Sequence, residues 1–143
     1  MIETYVDIVS TIRKLERLEG KISNPELLLG EIGDYLVGRI LENYRRETDF
    51  ENRQWAPLSS ATIADKQRSG YPRAILVRTG KMKKSIDKTV AGKTLKITVA
   101  FPAQFHQRGT SKMPKRAILP EGKLTRKDER NIVDLAINYL EVT

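Results

Sequence analysis

The chain of 143 residues contains no cysteine, one histidine and one tryptophan. Without thiols it can form neither a disulfide framework nor a thiolate metal cluster, so nothing in it favours an oxidising compartment. A single histidine rules out a histidine-rich zinc site, and the metalloprotease spacing His-Glu-x-x-His does not occur. We therefore expect no metal and no other cofactor.

Long apolar runs are also missing, because charged residues interrupt every hydrophobic stretch, including the N-terminal one. A membrane span needs about 20 consecutive, mostly apolar residues, and a secretory signal needs an unbroken apolar stretch. We expect a protein made in the cytoplasm without membrane contact. With 39% hydrophobic and 31% charged residues, the chain is long enough for one core, which predicts a single domain over residues 1–143.

Acidic residues are nearly absent from the middle of the chain. Between Lys66 and Arg116 there are fourteen basic residues and one acid, Asp87, whereas the flanks together carry a net charge of −5. We call residues 66–116 the basic segment. Its net charge of +13 suits DNA phosphates, an anionic partner surface, or the acidic flank of a neighbouring copy. Lysines that merely solvate an exposed sheet edge would give the same count.

Hydrophobic periodicity predicts two N-terminal amphipathic helices within residues 1–46. Apolar residues recur at spacings of three and four from residue 5 to residue 18. A second such pattern predicts a helix from residue 25 to about residue 46. Ser23 or Asn24 is the expected cap of its first free amides.

In the middle of the chain the hydrophobic period changes to two. The pattern predicts strands at 85–90 and 94–100, joined by a two-residue turn at 92–93. Near the C-terminus, Thr125 and Asp128 have the spacing of a helix cap, which begins an amphipathic helix within the last part of the chain, 123–143. The apolar face of that helix is expected to contain Ile132, Val133, Ala136, Ile137 and Leu140.

This order predicts an α+β fold, in which the two N-terminal helices and the C-terminal helix pack on a small antiparallel sheet or hairpin. The part between the N-terminal and C-terminal helices, residues 47–122, is expected to be loop and hairpin. Within it, Ser59 or Ser60 is expected to cap a short helix through Lys66, and the dipeptide at 79–80 to begin one further helical turn.

The stretch FHQRGTSKMPKRAIL, residues 105–119, places the only histidine among basic side chains. No nucleophile elbow and no phosphate-binding P-loop exists in the chain, and the basic segment offers no paired carboxylates, so we predict no enzyme. Four cations here are candidates for contacts with other subunits or with a lumen, with simple solvation as the alternative. They are Arg108, Lys112, Lys115 and Arg116.

Four other residues are expected to be structural anchors. Trp55 is predicted to pin its loop to the core, where truncation of a buried tryptophan typically costs about 3 to 5 kcal/mol. Phe105 and His106 are predicted to form a packed bend beneath the sheet, with the imidazole hydrogen-bonded to the backbone. Gly109 would then release the chain into an exposed basic loop.

Four motifs, in this order, resemble the phage virion morphogenesis family. They are WAPLS at 55–59 with Thr62 and Lys66, ILVRTGKMKKSI at 75–86, FHQRG at 105–109, and MPKRAIL at 113–119. The resemblance extends from about residue 49 to residue 119, and the preceding helix is also in register with the family's pattern. It implies a structural, non-enzymatic protein of the virion that completes the tail of a tailed bacteriophage and helps it join the head.

The resemblance further implies a ring of identical subunits at the head-tail junction, with six-fold symmetry favoured. The ring would act as a connector or terminator and would contact other neck or tail proteins. Such a ring could contact DNA in its lumen without sequence preference. Two other functions stay open at this stage. One is a free DNA-binding protein that uses the basic segment. The other is a small phosphate-ester enzyme that uses His106 and Arg116.

Overall fold

The computed structural model describes residues 2–6, 13, 16–17 and 24–142. These residues form a small antiparallel sheet covered by helices, which confirms the predicted α+β class. In chain order the described elements are β1 (Ile2–Val6), α1 (Pro25–Arg46), α2 (Ser60–Ser69), α3 (Lys81–Lys84), β2 (Asp87–Ala91), β3 (Thr94–Val99), α4 (Ala103–Arg108) and α5 (Arg126–Val142).

The sheet has the strand order β1-β3-β2, and both pairings are antiparallel. The predicted hairpin is confirmed: β2 and β3 are joined by a tight turn at 92–93. Leu95, Ile97 and Val99 alternate along β3 and are almost completely buried, so one face of the sheet belongs to the core.

The prediction that residue 5 begins a helix was wrong, because residues 2–6 form β1. Ile2 lies opposite Val99 and Thr4 opposite Ile97, in register with the buried face of β3. This pairing spans about ninety residues, so no local periodicity could indicate it. Of the predicted helix at 5–18, residues 13, 16 and 17 are helical, and the remainder lies outside the described residues.

Helix α1 packs lengthwise on the sheet with the apolar face that its periodicity predicts. Its core residues are Leu28, Leu29, Ile32, Leu36, Ile40 and Tyr44. A glycine allows the close approach: a Cβ on Gly33 would lie 2.7 Å from Cδ of Lys88 and 3.0 Å from Cδ1 of Leu95. Asn24 occupies the cap position, but its side chain makes no cap hydrogen bond, and Ser23 lies outside the described residues.

Helix α5 runs antiparallel to α1, and its predicted cap is present. The backbone N–H of Asp128 donates to Oγ1 of Thr125 over 3.2 Å. Ile137 does not face the core as predicted but is exposed. The reason is that the buried Asp128 turns toward α1, which brings Leu135 and Tyr139 against the core.

The short helix α2 begins as predicted and extends three residues further, to Ser69. Oγ of Ser59 accepts the N–H of Thr62 at 3.2 Å, as an N-cap does. The predicted helical turn after residue 80 is α3. No helix among residues 24–142 combines the length and the apolar character that crossing a membrane requires.

Candidate functional site

The four sequence motifs lie far apart in the chain, and in the structure their side chains and backbones join one another. Trp55 forms the centre of this region. It is buried, its indole Nε1 donates to the carbonyl oxygen of Ala117 over 2.9 Å, and its ring packs edge-on against Tyr44 with centroids 5.2 Å apart. The loop that follows α1 is therefore tied both to α1 and to the last motif.

Arg116 is not an exposed contact residue, which corrects the prediction from sequence. It is only 7% exposed, and its guanidinium donates from Nε to the carbonyl of Ala56 over 2.8 Å and from Nη2 to that of Pro57 over 3.0 Å. Buried carbonyls need donors, and a guanidinium can serve two at once. Burial lowers the pKa of Arg116 below its usual range. Its role is to brace the first motif against the last.

Gln107 connects the third motif, at 105–109, to the last motif, at 113–119, and it was not among the residues predicted to be important. Its Oε1 accepts the N–H groups of Ile118 and Leu119 at 2.8 and 2.9 Å, and its Nε2 donates to the carbonyl of Leu119 over 3.0 Å. One amide side chain thus satisfies three backbone groups of a segment that has no strand partner. Only its place in the motif FHQRG pointed to it.

Phe105 and His106 lie on the short helix α4 and do not form a bend beneath the sheet. Phe105 is 42% exposed and packs edge-on against Phe101. His106 is half-buried, and its Nδ1 has no hydrogen-bond partner among the described residues, so the expected bond from imidazole to backbone is absent there. Burial, with a smaller contribution from the nearby charge of Arg116, lowers the pKa of His106.

Gly109 ends α4 in a conformation that favours glycine, with φ 74° and ψ 167°. A Cβ at this position would lie 2.9 Å from the backbone nitrogen of Lys115, closer than such contacts occur. The chain then folds back on itself, since the N–H of Thr110 donates to the carbonyl of Met113 over 2.9 Å. This turn carries most of the exposed residues of the 105–119 stretch.

Two charged side chains hold the second motif, the buried Lys66 and the partly buried Glu47. Nζ of Lys66 donates to the carbonyls of Ala74 and Val77 at 2.7 and 2.9 Å, and the carboxylate of Glu47 accepts the N–H of Ile75 at 2.6 Å. Burial, more than the neighbouring arginines, lowers the pKa of Lys66. Like Arg116, Lys66 therefore belongs to the structural part of the basic segment and does not contribute to its surface.

The exposed cations of the basic segment lie around this braced region. Arg108 and Lys112 are exposed, and the exposed Lys115 pairs with Glu121, with Nζ 2.9 Å from its carboxylate. Arg108 also lines an open cleft of about 360 Å³ between β1 and α4. The other residues of that cleft are Ile2, Glu3, Thr4, Gln104, Gln107, Leu119 and Pro120.

The buried side chains of this region hold its backbone in place, and the exposed ones give it a positive surface. The only histidine has no carboxylate partner among the residues that the structure describes, and burial lowers its pKa, which disfavours the charged imidazolium. Within the same described ranges, no three histidine, aspartate or glutamate side chains lie close enough to hold a metal ion.

A model of the phage virion morphogenesis family matches residues 6–141. The chain belongs to this family. The match covers both α1 and α5, well beyond the motif region at 49–119, so the helices that frame the sheet are part of the family pattern. Comparisons with curated proteins and with solved structures find no significant match.

Membership of the phage virion morphogenesis family gives the protein a structural or assembly role in the virion of a bacteriophage. The motifs that carried the resemblance contribute the joint made by Trp55, Gln107 and Arg116. In this member, therefore, the motif side chains tie together distant segments of the region at 47–122, and the exposed residues lie around them.

Proposed function

We propose that this virion protein completes the tail or joins it to the head, as one subunit of a ring in the neck of the particle. The observation that carries the proposal is the separation of charge on a rigid body. The exposed acids Glu26 and Glu31 lie on α1, whose residues 25–38 contain no base, and the ammonium group of Lys88, which reaches this half of the helix, is paired with Asp34. Exposed cations lie around α4 and the following turn.

Unlike surfaces on one subunit favour head-to-tail contacts, and such contacts generate a ring when the rotation closes. Opposite charges on the two surfaces speed the encounter and fix its orientation. Six subunits are the order that we propose, on the basis of the family's place in the tail. Neighbouring neck or tail proteins would cover the two open sides of the ring.

Rigidity of the charged surfaces also supports the proposal. The turn at 109–115 has its ends held by Gly109 and by the backbone bond from the N–H of Arg116 to the carbonyl of His106, 2.7 Å long. A surface that is ordered before assembly loses less conformational entropy when it binds. The proposal assigns no chemical step to His106.

The test is to locate the protein in intact particles of its phage and to count its copies. We expect a closed ring at the head-tail junction, and particles without the protein should accumulate as separate heads and tails. Charge reversal at both exposed cations, Arg108→Glu with Lys112→Glu, should reduce particle yield more than reversal at Lys127, an exposed cation on α5. Particles that lack the protein and are still fully infectious would refute the proposal.

Free DNA binding is the competing function, because the exposed cations around α4 could contact phosphates. A gel-shift series across salt separates the two functions, since a protein that binds duplex through several phosphates loses affinity steeply as salt rises. We expect weak binding to free duplex in this assay. Tight, salt-sensitive binding that the Arg108→Glu and Lys112→Glu changes abolish, without any effect on assembly, would favour the DNA-binding function.

A further inference from the structure

Two phenylalanines are exposed side by side where β3 leads into α4. Phe101 is 66% and Phe105 42% exposed, and their rings meet edge-on with centroids 5.7 Å apart. Ala103 between them is completely buried. The backbone is thus fixed while both rings point outward. Paired exposed aromatic rings are characteristic of the centre of a protein interface.

The element that carries these rings is rigid and has a charge at its rim. Gln107 on α4 makes three hydrogen bonds to the segment at 118–119, which fixes the helix from the other side. Arg108 lies three residues after Phe105 and is therefore its neighbour on the helix surface. We call Phe101, Phe105 and Arg108 the aromatic patch.

A complementary surface exists on α1 of the same chain. Leu27 is 62% exposed, and the exposed Glu31 follows it by four residues on the same side of the helix. Glu26 is exposed beside it. We call Glu26, Leu27 and Glu31 the acidic patch. It pairs an apolar centre with a negative rim, where the aromatic patch has an apolar centre with a positive one.

The two patches lie at opposite ends of the sheet. The C-terminal end of α1 lies where β2 begins, since Nζ of Lys83 is 5.8 Å from the centre of the Tyr44 ring, and Gly33 lies against Lys88 and Leu95 further along the sheet. The N-terminal residues of α1 therefore extend toward the hairpin turn. Phe101 follows the other end of β3, six residues and thus about 20 Å further along. The patches of one chain therefore cannot cover each other, but those of two chains can meet head to tail.

We infer that the aromatic patch of one copy docks on the acidic patch of the next, with Phe101 and Phe105 against Leu27 and Arg108 against the carboxylates of Glu26 and Glu31. The occupant of the aromatic patch is thus a second copy of this chain. The inference rests on the ring proposed above and identifies the two surfaces that form it. A hydrophobic centre with a charged rim is the usual anatomy of such contacts.

Cross-linking in assembled particles tests this contact, and the absence of native cysteine gives a clean background. The pair Arg108→Cys with Glu31→Cys in one chain should yield, after mild oxidation, a ladder of covalent multimers that ends at the size of the ring. Arg108→Cys with Glu129→Cys is the matched control, because Glu129 is an exposed acid on α5. It should give no ladder.

A second measurement tests the aromatic centre. Phe101→Ala with Phe105→Ala should lower the yield of the Arg108–Glu31 cross-link by about tenfold or more, as the loss of an interface hot spot does. Ile137→Ala removes a comparably exposed side chain from α5 and should leave the yield unchanged. Because Phe101, Phe105 and Ile137 all lie at the surface, with 41 to 66% of each exposed, thermal unfolding of the isolated variants should stay close to that of the wild type.

The outcomes separate this inference from the proposed function. A ring that is present in particles but gives no Arg108–Glu31 cross-link, or gives it unchanged without the two phenylalanines, overturns the inference and leaves the ring standing. Cross-linking of Arg108→Cys alone into dimers would show a symmetric contact and overturn it as well. Absence of the protein from the particle would refute both.

Discussion

Arg39 on α1 and Asp128 on α5 form a largely buried ion pair that joins the two long helices, with Nε and Oδ1 3.0 Å apart. Asp128 is completely buried, and the hydroxyl of Tyr35 donates to the same oxygen over 2.7 Å. Loss of one member of a buried pair leaves the other charge without a partner, which typically costs about 3 to 5 kcal/mol.

Asp128→Ala should therefore lower the free energy of unfolding by about 3 kcal/mol or more. The measurement is urea denaturation followed by far-ultraviolet circular dichroism. Asp134→Ala, an exposed acid on the same helix, is the control and should change the value by less than about 0.5 kcal/mol. Equal effects of the two changes would show that the buried pair contributes nothing.

Arg116→Ala should destabilise the isolated protein, because the carbonyls of Ala56 and Pro57 lose their donors. The expected loss is about 2 to 4 kcal/mol. Lys112→Ala is the matched control, since Lys112 is an exposed cation of the same stretch. If Arg116→Ala leaves the unfolding free energy unchanged and impairs only particle assembly, Arg116 acts as a contact residue after all.

Gly109→Ala should lower stability by about 2 kcal/mol or more, because its backbone conformation favours glycine and the new Cβ would crowd Lys115. Gly38→Ala should do the opposite. Gly38 is exposed within α1 with no atom near its missing Cβ, so alanine there should raise stability by about 0.5 to 1 kcal/mol. Thermal unfolding should show a lower melting temperature for Gly109→Ala and a higher one for Gly38→Ala than for the wild type.

Stability should fall with acidification through the ordinary titration range of His106. Its pKa is lowered in the folded protein by burial and by Arg116, so the unfolded chain binds the proton more tightly. The neutral imidazole contributes fully to the free energy of unfolding above about pH 6.5, and this contribution is lost as the pH falls through the pKa of the folded protein. His106→Gln removes this titration.

The measurement is the unfolding free energy of wild type and His106→Gln between pH 7.5 and pH 5.5. Because both proteins keep the same carboxylates, the difference between them isolates the histidine. As the pH falls, we expect the unfolding free energy of the wild type to decrease more than that of His106→Gln. A difference that stays constant over this range would contradict the lowered pKa.

Local signals predicted much of the fold. The turn at 92–93, the cap at Thr125 and the apolar stripe of α1 each depend on residues close in sequence, and the structure contains all three. Strand β1 depends on pairing with β3 across about ninety residues, and nothing in its five residues specifies that partner. It was therefore missed.

The site was harder to predict because a charged side chain looks the same in sequence whether it is buried or exposed. Arg116 and Lys115 are adjacent cations, and only the carbonyls of the WAPL loop decide that the first is buried. Phe105 shows the reverse case, since an aromatic residue expected in the core is exposed. Both outcomes depend on contacts between distant segments.

Lys88 protects the β2 edge of the sheet against pairing with another copy of the protein. It lies on β2, which borders only β3 among the described strands, and its side chain faces the core side, where Nζ donates to the carbonyl of Gly30 over 2.8 Å. A foreign strand added at this edge would have to accommodate an inward-facing ammonium group. Crowded copies are thereby kept from merging into a continuous sheet, so aggregation through this edge is disfavoured wherever many subunits gather.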